Sequence, residues 1–168
     1  FLLDRGCVRI AHLAGVATSP LAVERMEGFL ETAGDRAGGV ETGDFSPVSG
    51  YDAMKRLLRA GPPPDGLFAA NDQMAVGALQ ALEEAGLRVP DDIRVMGFDD
   101  TFVASLVRPT LGTVHAPKLR LGVRAARRLL RRIEGDDSPA AHELLPHDIV
   151  DRESTGNRLP GERDMTAW

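Results

Sequence analysis

The chain has 168 residues, 43% hydrophobic and 27% charged, with a net charge of −5. That is enough for one domain with a real core, and the acidic balance excludes an overall basic field for nucleic acid. No apolar stretch is long enough to span a bilayer, and the single cysteine, Cys7, has no partner for an internal disulfide and fits a reducing compartment.

In chain order, "CVRIAHLAG" (7–15) is a short apolar run ending in Gly and reads as a strand. "PLAVERMEGFLETAG" (20–34) spaces Val23, Met26, Phe29 and Leu30 as a helix does, and Gly34 closes it. "GGVETGDF" (38–45) is a weaker strand, and "SGYDAMKRLLRAGPPP" (49–64) is a helix stopped by Gly61 and three prolines. "DGLFAAN" reads as a strand and "DQMAVGALQALEEAG" as a helix over 73–85, with Asn71 or Asp72 as its cap and Gly86 as its end. "DDIRVMGFDD" (91–100) is a further strand. Strand and helix alternate with short connections, which predicts an α/β fold: a parallel sheet with helices on both faces. "HELLPHDIV" (142–150) reads as a late strand, and the tail after Asp151 is loosely ordered. Phe1-Leu2-Leu3 meets Asp4-Arg5 at once, unlike a secretory signal peptide. The first residue is not Met, so a mature secreted chain stays open.

Ligands of open parallel sheets bind beyond the carboxyl ends of the strands. There this chain carries Thr18, Ser19 and Arg25 after the first strand, Asp44 and Phe45 after the second, Asn71 and Asp72 after the third, and Asp99 and Asp100 after the fourth. A guanidinium, a ring, an amide and carboxylates suit a polyhydroxylated ring, whose adjacent hydroxyls need paired donors and acceptors and whose face needs an apolar surface. Each residue has a structural alternative. Arg25 could only neutralise a carboxylate, Phe45 could be core, and Asp99 could cap a turn.

The segment "GLFAANDQMAVGALQALEEAGLRVPDDIRVMGFDD" (66–100) resembles the LacI-type repressors, the lactose, galactose and purine repressor family. So do "RGCVRIAHLAG", "RMEGF", "RPTLGTVHAP" and "DIVDREST", and the likeness runs from Phe1 to about Thr155. Cys7 stands where the family usually has His. The resemblance implies the C-terminal lobe of a two-lobed, periplasmic-binding-protein-like core over 1–115, a crossover helix belonging to the otherwise absent N-terminal lobe over 116–141, a returning strand over 142–155 and a tail over 156–168. It further implies that Arg25, Phe45, Asn71 and Asp99 bind the effector, with Lys118, Ser19 and Asp72 as additional candidates. Lys118 falls where some members place an aromatic residue, which leaves open an extra polar or acidic group on the effector. By the same resemblance the effector is a sugar held between lobes, and its binding shifts operator affinity in the full-length, cytoplasmic protein. Operator DNA is contacted only through a helix-turn-helix outside this chain. The alternative is a transport-type solute-binding protein.

"APKLRLGVRAARRLLRRIEG" sets an apolar stripe of Leu119, Val123, Ala126, Leu129, Leu130 and Ile133 against six arginines. A core helix with a solvated face is the simplest reading. If the helix belongs to another lobe, the stripe is unburied here. Homodimerisation is expected through the outer side of helix 73–85, at Met74, Ala78 and Ala81, and through "TFVASLV", at Phe102, Val103 and Leu106. Internal packing is the alternative for both.

Catalysis finds no support. The chain has no G-x-G-x-x-G, phosphate-loop or G-x-S-x-G motif. His12, His115, His142 and His147 lack metal-ligand spacing, so no metal or cofactor is expected. A phospho-receiver domain would need an acidic pair where "LAGVATS" stands. Asp99 and Asp100 have no nucleophile or base beside them in the sequence.

Overall fold

The computed structural model describes residues 1–139 and 143–157. Residues 140–142, including His142 at the start of the expected returning strand, lie outside it, as does the tail beyond Asn157. Among the described residues six strands form one sheet: β1 (Ile10–Ala14), β2 (Ala37–Thr42), β3 (Gly66–Ala69), β4 (Arg94–Phe98), β5 (Gly112–His115) and β6 (Asp148–Val150), in the order β2-β1-β3-β4-β5-β6. The first five run parallel, as the alternating pattern predicts, and β6 pairs antiparallel to β5. Strand β5 has only four residues between Pro109 and Pro117, too few for a visible alternation.

The helices are α1 (Pro20–Ala33), α2 (Pro47–Ala60), α3 (Asp72–Glu84), the short α4 (Phe102–Leu106) and α5 (Lys118–Ile133). Proline opens both α1 and α2, where its fixed φ suits the first turn. Asn71 is the cap of α3: its Oδ1 accepts from Met74 N at 2.8 Å. The other end closes as a Schellman turn, with Gly86 at φ +71, Gly86 N bonded to Glu83 O and Leu87 N to Leu82 O.

Successive strand residues feed opposite faces. Ala11, Leu13, Leu67, Ala69 and Val95 pack with Ala53, Met54 and Leu57 of α2 and with most of α3. Ile10, Met96 and Val114 pack on the other side with Phe29 and Ala33 of α1. Helices α2 and α3 touch almost backbone to backbone: a Cβ on Gly77 would sit 1.8 Å from Pro47 O.

This close packing corrects one expectation. Met74 and Ala78 are 0% exposed and Ala81 is buried, all inside the chain's own core, so none offers a surface to a second copy. Phe102 and Leu106 are exposed on α4, at 79% and 58%. Helix α5 buries no residue: Leu119, Leu129 and Ile133 are 84%, 62% and 73% exposed, so the stripe is not part of this chain's core.

Candidate functional site

The carboxyl ends of β1, β2, β3 and β4 lie side by side, and contacts among their loops bind four of the expected residues into one constellation. Phe45 sits in a left-handed conformation at φ +71. Its ring crosses the end of β1 directly above Gly15, where a Cβ would fall 2.2 Å from Phe45 Cζ. Asn71 Nδ2 donates to Phe45 O at 3.0 Å. The amide therefore does two jobs: one end caps α3, and the other ties down the loop that carries the ring.

Arg25 reaches in from α1. Its guanidinium carbon lies 3.7 Å from the centroid of the Phe98 ring, and Nη1 donates to Ala70 O at 2.7 Å, one residue before Asn71. Burial lowers the Arg25 pKa, and the nearby Asp99 charge partly restores it. Asp99 follows Phe98 at φ +108 and donates its N–H to Val114 O at 2.9 Å. Burial raises the Asp99 carboxyl above its ordinary range, the cations Lys118 and Arg25 pull it back, and Asp72 pushes it up again. Lys118 is exposed and donates to the carbonyl of Asp99, which places its ammonium at the same edge.

Two further candidates fare differently. Asp72 is 0% exposed; its Oδ2 accepts from Thr101 N and Oγ1 at 2.7 and 2.9 Å, and its Oδ1 from Thr113 Oγ1 at 2.6 Å. With its acceptors committed to the frame, Asp72 is structural rather than a ligand contact. Ser19 precedes α1, and its hydroxyl makes no cap bond. Asp44 is held to about 2 by its hydrogen bonds to Ser46 and Ser49, which order the turn ahead of α2.

Three contributors escape a reading of spacing alone: Phe98 under Arg25, Gly15 under Phe45, and the pair Arg152 and His115 on Asp100. Strand alternation would have placed Phe98 on the α1 face. The others depend on contacts between segments far apart in the chain. The constellation lies on an open edge. A groove of about 350 Å³ runs beside it along the α1 face, with Arg25 at its rim and Phe29, Phe68, Met96 and Val114 on its walls. His12 is buried beneath that face, stacked between Phe29 and Phe68 at 5.1 and 5.0 Å, with Nδ1 donating to Phe68 O. Burial pushes its pKa down to about 4, so the ring is neutral.

A model of the periplasmic binding protein-like domain matches residues 1–155. The HTH-type transcriptional repressor PurR of Pasteurella multocida is 39% identical over 166 residues, covering 95% of this chain and 49% of that protein. The ribose operon repressor of Escherichia coli (strain K12) is 45% identical over 139 residues, covering 79% of this chain and 42% of that protein. The crystal structure of the Lac repressor dimer bound to operator and the anti-inducer ONPF superposes with a TM-score of 0.86 at 36% identity, covering 92% of this chain and 47% of that one. The chain thus spans about half the length of the curated relatives it matches.

Proposed function

This chain belongs to the periplasmic binding protein-like domain family, as an effector-binding core of the LacI-type regulators, and from that premise we propose that its Arg25–Phe45–Asn71–Asp99 edge binds a small polyhydroxylated effector, a sugar in the first instance. The observation that carries the reading is the linkage of those four residues through Ala70, Phe98 and the Asn71–Phe45 bond. Arg25 offers paired donors, Asp99 paired acceptors and Phe45 a ring face, which together match vicinal hydroxyls on a flat ring.

In this reading residues 1–115 form one lobe, 116–141 cross to a second lobe and 142–155 return. The open edge and the uncovered stripe of α5 are what a partner lobe would close. A ligand clasped between lobes favours one lobe orientation only to the extent that it binds that orientation more tightly. In a dimer, that orientation sets the separation of the DNA-binding heads, and hence operator affinity. Dimerisation then falls to the exposed Phe102 and Leu106 and the half-buried Val103 rather than to α3. The parent protein is cytoplasmic and touches operator DNA through a helix-turn-helix outside this chain. The names of the relatives favour gene regulation over solute transport. The charges that act on the Asp99 carboxyl are those of Lys118, Arg25 and Asp72, a setting that supports binding rather than catalysis.

A thermal-shift screen of sugars and nucleosides on the full-length protein identifies the effector, because a ligand that binds the native state raises its stability. Asp99→Ala in that protein should abolish the effector response in an operator gel shift while leaving the melting temperature within a few degrees. A normal response would refute the site.

A further inference from the structure

Two consecutive non-glycine residues, Asp99 and Asp100, hold positive φ angles of 108° and 49°. Such a pair costs free energy and persists only where its surroundings over-determine it. One set of restraints comes from below. The Asp100 N–H donates to Thr113 Oγ1 at 3.3 Å, that hydroxyl donates to Asp72, and Asp72 also receives Thr101 N. The other set comes from the far end of the chain. Arg152 Nη2 lies 2.8 Å from Asp100 Oδ1, and His115 Nδ1 lies 2.9 Å from Asp100 Oδ2. Arg152 Nη1 donates to Leu111 O at 2.8 Å, which fixes the guanidinium between the turn and the entry to β5.

The segment around Arg152 is itself well anchored. Ser154 Oγ donates to Val95 O at 2.6 Å and accepts from Gly112 N at 2.8 Å, so it bridges β4 and β5. Glu153 accepts from Thr110 Oγ1 at 2.8 Å, and Arg5 pairs with Asp151. Arg152 is therefore presented from a rigid base, and its planar fork spans a carboxylate and a carbonyl at once.

We infer that Arg152 is a positioning residue for the effector site: by clamping Asp100 it holds the left-handed turn that carries the Asp99 side chain at the strand-end edge. Its bearing on the effector rests on the reading of Asp99 as a ligand contact. The clamp itself does not. The chain segment that follows β6 thus reaches the ligand edge through one side chain, without touching ligand.

Native-state hydrogen exchange on the full-length protein, with no ligand added, tests the clamp. Arg152→Gln should speed exchange of the Asp99 and Thr101 amides by about tenfold relative to the wild type, while the amides of Ala75, Ala78 and Leu82 in α3 keep their protection. Asp100→Asn should give the same local pattern, and the double variant should fall clearly short of the sum of the two changes, because both remove the Arg152–Asp100 contact while Arg152 also holds Leu111 O and Asp100 also meets His115. Unchanged exchange at Asp99 and Thr101, loss of protection in step across the chain, or additive effects in the double variant would overturn the inference. None of these readouts depends on effector binding, so failure of the clamp and failure of the Asp99 assignment are separate results.

Discussion

Asn71 holds the backbone of Phe45 with one end of its amide and the first turn of α3 with the other, at 3.0 Å and 2.8 Å. The two ends can be separated by mutation. Asn71→Asp keeps an acceptor for Met74 N but loses the donor to Phe45 O and sets a carboxylate oxygen against that carbonyl, so it should cost about 1–3 kcal/mol while effector affinity in the full-length protein falls at least tenfold. Asn71→Ala removes the cap and should cost about 1 kcal/mol, a typical value for such a loss. Urea denaturation and isothermal titration with whichever sugar the thermal screen identifies make the comparison.

Gly15 is required by the ring above it. In Gly15→Ala the new methyl collides with Phe45 at 2.2 Å, and overpacking of this kind costs about 1–3 kcal/mol. Adding Phe45→Ala should return most of that stability without returning ligand binding. Chemical denaturation of the single and double variants gives the coupling; additive losses would show that the ring does not rest there.

Stability should depend on pH through His12. Its pKa falls from an ordinary value of 6.5 in the unfolded chain to about 4 in the fold, because burial between two rings disfavours the charged form. Between those values the unfolded state binds more protons, so stability rises with pH from about 4 to 6.5 and is lost as the medium is acidified through that window. The full span is on the order of 3 kcal/mol. Asp99, raised by burial, contributes the opposite slope in the carboxylate range, so the comparison is made against a variant. His12→Leu should flatten the wild-type slope in urea midpoints measured across that window.

The stripe on α5 should make the isolated chain self-associate. Leu119, Leu129, Leu130 and Ile133 stand more than half exposed along one helix, and apolar surfaces of that kind recruit partners. Sedimentation should show oligomers of the 168-residue chain at micromolar concentration, and Leu129→Glu with Ile133→Glu should shift it toward monomer.

Much of this was legible because local signals agreed. Helix α3 has a capping amide, an apolar period and a glycine stop, and all three are met. The strands before it end where polar residues begin, which is why the strand-end constellation proposed as the ligand edge could be assembled from the sequence. Met74 and Ala78 misled because they lie on the covered side of α3, away from its one wet stripe of Gln73, Gln80, Glu83 and Glu84. Small apolar residues on a helix fit an internal contact as well as a dimer contact, and here α2, the sheet and α4 cover that side. Asp72 misled for a related reason: a carboxylate at a helix start reads as solvent-facing or ligand-facing, and its hydroxyl partners Thr101 and Thr113 lie 29 and 41 residues away. Arg152 had no local signal at all, since its partner Asp100 is 52 residues distant.

Helix α3 carries Asn71 at its tip and eight buried residues along its length. A rod seated so tightly has no slack to absorb a pull at one end; packed interiors shift between discrete arrangements instead of yielding gradually. A molecule that tugs on that amide therefore either displaces the whole rod, together with the loop and the short helix leaning on it, or moves nothing. On the proposed reading, an effector's pull would therefore be passed on as a lever stroke and not as a ripple.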